Sequence, residues 1–250
     1  MLHMIAYGGA LSATSTSFQN LPGIADPTVT VSGNIIYVPT ISNLVGEFLI
    51  GASVSRGELR APSILDLAPL DVSPVNASAT PSNPTVYSPH YTEPFKLVPT
   101  EGLQAYAINS SSTTDKQSII VELSDGAVAP VAPTECFTTR ATFTVPSGNY
   151  SWQNAALTFD NALPVGTYDL IGARVEVANG IAARFYPNGG TFRPGVTVRQ
   201  SKSDLDVPFE RRGGKGVLFT FNQLTPPTID LYHNGATGTG VVFLDLVKKT

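Results

Sequence analysis

Apolar and polar residues alternate with a period of two along much of the chain, which is the signature of strands with one buried face. In Glu47–Ser55 the residues Phe48, Ile50, Ala52 and Val54 share a face, and in Thr167–Val177 so do Ile171, Ala173, Val175 and Val177. Ser118–Leu123 and Val241–Val247 alternate in the same way. Ala141–Val145, Ile181–Phe185, Val196–Arg199, Val217–Phe221 and Thr228–Tyr232 are further strand segments. Turn clusters separate them: Pro146-Ser147-Gly148-Asn149, Asn179-Gly180, Pro187-Asn188-Gly189-Gly190, Arg211–Gly216 and Asn234-Gly235. Asn179-Gly180 between two alternating runs predicts a type I′ hairpin, which needs positive φ at both positions. Helix-forming stretches are nearly absent, and Pro62 and Pro69 confine the one helix-tolerant run, Ser63–Leu67, to a turn or two.

The pattern also repeats. Leu49-Ile50-Gly51-Ala52-Ser53-Val54 resembles Leu170-Ile171-Gly172-Ala173-Arg174-Val175, with Gly172 standing 121 positions after Gly51. Leu103–Tyr106 aligns with Ile229–Tyr232 at an offset of 126, and Ile119–Leu123 with Val242–Leu246 at 123. Matches that recur in order, with small drifts in offset, indicate an internal duplication in which strands are kept and loops differ. The small, Pro-punctuated run Ala127–Pro133 reads as a linker. The expected organisation is an N-terminal arm over residues 1–27, a first β-barrel over 28–126, a linker over 127–134 and a second barrel over 135–250. The first barrel carries a long projecting loop over 62–94, rich in proline and too long for a hairpin, with a shorter counterpart around Pro187–Pro208. The fold class is therefore all-β: two tandem antiparallel jelly-roll-like barrels or sandwiches.

Composition supports this reading. Of 250 residues, 42% are hydrophobic, enough for a core, while 14% are charged, against roughly 25% in an average globular protein. A weakly charged surface suits a protein that buries much of itself against neighbours. The net charge of −4 and the lack of a basic arm argue against sequence-specific nucleic-acid binding. The single cysteine, Cys136, rules out an intrachain disulfide and reads as a small buried hydrophobe. Met1–Ala10 lacks the basic and long apolar regions of a secretory leader, and no 18-residue apolar run is present.

Candidate chemistry is sparse. His3, His90 and His233 lie far apart in expected loops or termini, without metal-ligand spacing. No nucleophile elbow is present; Gly51-Ala52-Ser53-Val54-Ser55 comes nearest and lies within a strand. Asp66, Asp71, Asp204, Asp206 and Glu210 are the carboxylates that could pair for glycoside hydrolysis, and Asp204 and Asp206 could help hold calcium, but no calcium-loop pattern surrounds them. Arg211–Gly216 is basic and Gly-rich, yet a strand rather than a helix follows it, so it reads as a turn, with contact to an anionic surface as its functional variant. Asn76, Asn109 and Asn149 head glycosylation-type triplets, which a chain so rich in Asn, Ser and Thr yields by chance. The expectation is no catalytic, cofactor-binding or metal site.

Two tandem β-units, an irregular excursion from the first and few charges resemble the double jelly-roll major capsid proteins of tailless icosahedral, membrane-containing bacteriophages. That resemblance implies a major capsid subunit of the virion, assembled in the host cytoplasm. Its partners would be itself (as homotrimers and neighbouring capsomers), other virion proteins, and an inner membrane or genome. The competing reading is a carbohydrate-binding or host-attachment module, a virion spike or lectin-like sandwich, in which Tyr87, Tyr91, Tyr150 and Trp152 stack on sugar rings. A hydrolase is the third.

Overall fold

The computed structural model describes residues 1–37, 43–51, 54–65, 70–72, 88–148, 150–199 and 208–249. The chain divides into two compact units, Met4–Ala127 and Val128–Thr250, the latter also taking in Met1–His3.

The first unit contains β1 (Leu2–Leu11), β2 (Gln19–Leu21), β3 (Thr30–Ser32), β4 (Ile35–Tyr37), β5 (Asn43–Gly51) and β6 (Val54–Arg60). A single helical turn α1 (Pro62–Leu65) follows, then β7 (Leu70–Val72), β8 (Ser88–Pro89), β9 (Phe95–Lys96), β10 (Gly102–Asn109) and β11 (Asp115–Ser124). One sheet runs β1-β11-β5-β8, with β9 also on β5; the other runs β3-β4-β10-β6-β7, with β2 also on β10. Taking β2–β4 as one corner segment and β8–β9 as another, the eight successive positions pair as 1-8-3-6 and 2-7-4-5. That is the jelly-roll order, two interleaved Greek keys.

The second unit contains β12 (Phe137–Val145), β13 (Ser151–Ala156), β14 (Thr158–Phe159), β15 (Thr167–Glu176), β16 (Gly180–Tyr186), β17 (Gly195–Arg199), β18 (Phe219–Asn222), β19 (Thr228–His233) and β20 (Gly238–Lys248). A short 3₁₀ turn covers Pro208–Glu210. Here β12-β20-β15-β18 form one sheet and β13-β19-β16-β17 the other, again 1-8-3-6 and 2-7-4-5. Two parallel pairs between β15 and β17, Val175 with Val198 and Glu176 with Arg199, join the sheets along one edge. The chain is thus a double jelly roll.

The two units share more than strand order. Leu44 faces Leu123 and Gly46 faces Glu122, so Val45 bulges out of β5. Leu170 faces Leu246 and Gly172 faces Asp245, so Ile171 bulges out of β15 in the same place. Each bulged carbonyl accepts a backbone N–H at 2.6 Å, from His90 in one unit and Gly213 in the other. This corrects the register read from the sequence: Gly172 corresponds to Gly46, not to Gly51. The Leu-Ile-Gly triplet at 49–51 is a decoy for Leu44-Val45-Gly46, because residue similarity cannot see an unpaired residue.

Three other expectations change. Residues 4–27 are not an arm: β1 is a ten-residue strand beside β11, and Tyr7 ties the two sheets together by donating its buried hydroxyl to the Leu103 carbonyl at 2.7 Å. The alternation from Glu47 to Ser55 is two strands in different sheets, ending at Gly51 and resuming at Val54. Asn179-Gly180 makes no hairpin, since β15 and β16 do not pair. Asn179 alone holds a left-handed φ of 59°, and Gly180 opens β16 where a Cβ would lie 2.6 Å from Val198.

The excursion at 62–94 supplies α1, the edge strand β7 on β6 and the edge strand β8 on β5. Pro89 lies in the edge strand β8, where its missing N–H costs little. Positions 66–69 and 73–87 of that segment lie outside the described residues, as do Asn76 and Tyr87.

Candidate functional site

Among the described residues, charged side chains gather at several places inside the units. On β16 and β19, Arg184 is fully buried and donates from Nε to Asp230 Oδ2 at 3.1 Å, while Arg193 Nη1 reaches the same oxygen at 2.8 Å. Asn154 on β13 donates to Asp230 Oδ1 at 2.6 Å. The Arg184 guanidinium lies 4.0 Å from the Trp152 ring centre, and the Arg193 guanidinium 4.4 Å from that of Tyr186. Strand register explains the cluster: Arg184, Asp230 and Asn154 stand directly opposite one another.

Beneath the β17 edge, Glu210 accepts the Thr197 N–H at 2.8 Å and its hydroxyl at 2.6 Å, with Lys215 Nζ at 3.5 Å. Lys215 is buried and also donates to the Gly195 carbonyl. On β20, Asp245 takes two hydrogen bonds from Arg211, at 2.7 and 2.9 Å, one from the Thr138 hydroxyl and one from the Arg212 N–H. Burial pushes the Asp245 carboxyl up, but these four donors outweigh it and hold the group below its ordinary value. In the first unit, Glu47 faces His90 at 3.1 Å; burial raises its pKa more than the imidazole lowers it. Tyr91 donates to buried Glu122 at 2.8 Å.

The candidates from the sequence are dispersed by this geometry. His90 lies in a loop as expected, but the other two histidines lie in strands. His3 lies buried in β1 and accepts the Arg193 N–H at Nδ1. His233 ends β19, buried, with Nε2 on the Pro146 carbonyl at 3.0 Å and Nδ1 accepting from the Gly235 N–H. Burial lowers its pKa, against the Pro146 contact. Cys136 is exposed, contrary to its expected burial. Asp66, Asp204 and Asp206 lie outside the described residues, as does the side chain of Asp71, so Glu210 remains as a structural pivot.

Arg211–Gly216 forms a turn, closed by the Gly214 N–H on the Arg211 carbonyl and the Gly216 N–H on the Gly213 carbonyl. Gly213 and Gly216 adopt φ of 87° and 74°, and Val131 donates its N–H to the Gly213 carbonyl, so this loop clamps the segment that opens the second unit. Among the described residues, no group of three His, Cys, Asp or Glu is placed to hold a metal ion. No helix among them is long and apolar enough to cross a membrane. The Trp152 ring is already engaged by Arg184 and, at 5.4 Å, by Tyr232. Tyr150 also packs edge-on against Tyr232.

One open hollow of about 430 Å³ lies on the second unit, lined by Arg140, Arg174, Glu176, Arg211, Val241 and Phe243. Its floor is in register: Phe243 faces Arg140 on one side and Arg174 on the other, and Val241 faces Glu176. Apart from Arg211, nothing in the sequence marked this cluster, because its members come from three strands and a loop.

No protein-family model matches the chain, and no curated protein matches it in sequence. Two solved structures are similar over nearly the whole length. One is the crystal structure of the major capsid protein P2 from bacteriophage PM2, at 17% identity, covering 94% of this chain and 98% of that one with a TM-score of 0.26. The other is the crystal structure of the STIV MCP, at 9% identity, covering 97% of each chain with a TM-score of 0.27. The double jelly roll itself stands on the strand pairing of this chain.

Proposed function

We propose that this chain is a structural virion protein, a major capsid subunit that self-associates into a closed icosahedral shell with trimers as the building unit. The observation that carries the proposal is the duplication: two complete jelly rolls in one chain, with the same strand order and the same bulge. Two similar barrels per chain and three chains around an axis present six near-equivalent sides, which suits hexagonal packing, and cyclic closure is the usual route for identical chains.

The electrostatics support this reading. The buried carboxylates Asp230, Glu210 and Asp245 are saturated by arginine, lysine and hydroxyl donors, so they brace the sandwiches. With 14% charged residues, contacts between copies desolvate few ions, the costly step in burying polar surface. Partners on this reading are other copies, further virion proteins and whatever layer lies beneath the shell, with assembly in the host cytoplasm.

Light scattering on the purified chain, with microscopy at high concentration and of native particles, tests the proposal. Trimers and shell-like particles are expected. A chain that stays monomeric, is absent from particle shells and binds a soluble glycan overturns it in favour of an attachment module.

A further inference from the structure

Three Asn-Gly steps occur in the chain, at 179–180, 188–189 and 234–235, all in the second unit. Each places a thermolabile side-chain amide before a nitrogen that no Cβ shields. Such a nitrogen attacks the asparagine side-chain carbonyl and closes a five-membered imide when it is free of hydrogen bonds and the backbone can swing into place. The fold treats the three steps differently.

Two of them are locked, partly against each other. Gly180 is buried, donates its N–H to the Val177 carbonyl at 3.3 Å and pairs with His233 on β19. A Cβ there would lie 2.6 Å from Val198 and 2.7 Å from Val177, so the step has no room to turn. The Asn179 carbonyl accepts the Asn234 N–H at 3.3 Å. Gly235 in turn donates to His233 Nδ1 at 3.3 Å and accepts from the Gly148 N–H at 3.0 Å. A Cβ on Gly235 would lie 2.9 Å from the side chain of Asn179, and the Asn234 amide is itself engaged on the Tyr150 hydroxyl at 3.2 Å.

The third step is open. Pro187–Gly190 turns the chain between β16 and β17, closed by the Gly190 N–H on the Pro187 carbonyl at 3.0 Å. Asn188 and Gly189 form the centre of that turn and both are exposed. Gly189 holds a φ of 78°, and a Cβ on it would meet nothing within 4 Å. Among the described residues, neither the Asn188 amide nor the Gly189 N–H has a hydrogen-bond partner.

We infer that Asn188 is a site of spontaneous modification, converted to aspartate or isoaspartate through a cyclic imide. Solvent hydroxide takes the Gly189 N–H proton, and the nitrogen bonds to Asn188 Cγ. The Cγ–Nδ2 bond breaks, and Nδ2 leaves as ammonia with a proton from water. A second water then opens the ring. Opening at Cγ leaves aspartate; opening at the Asn188 backbone carbonyl leaves isoaspartate, which lengthens the main chain by one methylene. The balance is water in and ammonia out, with no change of oxidation state. Asn188 stands at the lip of a hollow of about 410 Å³ whose other lining residues include Met1, Phe192, Leu218 and Phe219. None of the described lining residues has a charged side chain, so the product brings a carboxylate to a surface that had none. The inference is independent of the capsid reading.

The test incubates the purified full chain at mildly alkaline and at mildly acidic pH. Peptide mass spectrometry follows each Asn-Gly step, and isoaspartyl methyltransferase labelling separates isoaspartate from aspartate. Asn188 should be converted first, and faster in the alkaline sample. Asn179 and Asn234 should lag by about tenfold or more, because each must first give up hydrogen bonds and packing. In urea the three steps should react at similar rates. Asn188→Gln should remove the early acidic species on isoelectric focusing while keeping the β-sheet circular dichroism of wild type. Similar rates at the three steps in the folded chain, earlier conversion at Asn179 or Asn234, or an order that persists in urea overturns the inference. So does a folded chain that keeps the Asn188 amide for as long as it keeps the other two.

Discussion

Arg60 and Arg184 hold the same place in the two sandwiches: Arg60 stands opposite Gln104 on β10, and Arg184 opposite Asp230 on β19. Each guanidinium lies on an aromatic ring, 4.2 Å from the centre of Tyr106 and 4.0 Å from that of Trp152. The first is partly exposed and shares Glu58 on its own strand; the second is sealed and depends on Asp230 across the ladder. A buried charge whose partner is removed is left uncompensated, which costs about 3–5 kcal/mol. Asp230→Ala should therefore destabilise the second unit by that amount in urea unfolding. Arg140→Ala, which breaks an exposed pair with Asp160, should cost no more than about 1 kcal/mol. Equal effects would mean that Asp230 is not the anchor of the cluster.

The bulge glycine of the second unit admits no side chain. A Cβ on Gly172 would lie 2.7 Å from the Arg212 nitrogen and 2.8 Å from both the Arg211 Cα and the Glu210 carbonyl oxygen, all backbone. Gly172→Ala should cost about 1–3 kcal/mol through overpacking and loosen the Arg211–Asp245 bonds. Gly126→Ala, with open space around it, should be close to neutral. Thermal melts of the two variants decide the matter.

Two carboxylates give stability opposite pH dependences. Asp245 is held below its ordinary value of 3.8, so its contribution is present above that value and disappears as pH falls through the lower, folded one. Glu47 is raised above its ordinary 4.5, so its contribution is present below 4.5 and disappears as pH rises through the higher value. Asp245→Asn should flatten the acid side of the stability profile. Glu47→Gln should flatten the rise in instability above pH 4.5 and leave the more acidic limb unchanged. Denaturant midpoints measured across pH 2 to pH 8 would show the reverse pattern if either assignment were wrong.

Deleting residues 1–20 should unfold the first unit, not merely release an assembly arm. It removes β1, the neighbour of β11, together with the Tyr7–Leu103 bond between the sheets. Near-ultraviolet circular dichroism should report the loss. A truncated chain with an intact first unit would restore the arm interpretation.

The second unit was largely legible because its 1-8-3-6 sheet has one open face: β12 and β20 alternate buried and exposed positions, and the sequence alternates with them. In the first unit β1 and β5 are buried on both faces, so Leu2–Leu11 reads as a mildly apolar run and carries no period-2 signal. The duplication was visible in Tyr106 and Tyr232 and in the last strands, but its register in β5 was not, because a bulge adds one residue without changing composition. The charged clusters were invisible for a different reason. Asp230, Arg184, Arg193 and Asn154 are far apart in the chain and meet only through strand pairing.

The position of β11 and β20 also bears on how the protein is made. In each unit the last strand synthesised sits between two earlier ones, β11 between β1 and β5, and β20 between β12 and β15. On the ribosome, more than sixty residues follow β5 before the strand that joins it to β1 emerges, and only the short strands β8 and β9 can pair with β5 in the meantime. Neither sandwich can close in stages from its N-terminal end. In each, the sheet is continuous only once its final strand lies between the two earlier ones.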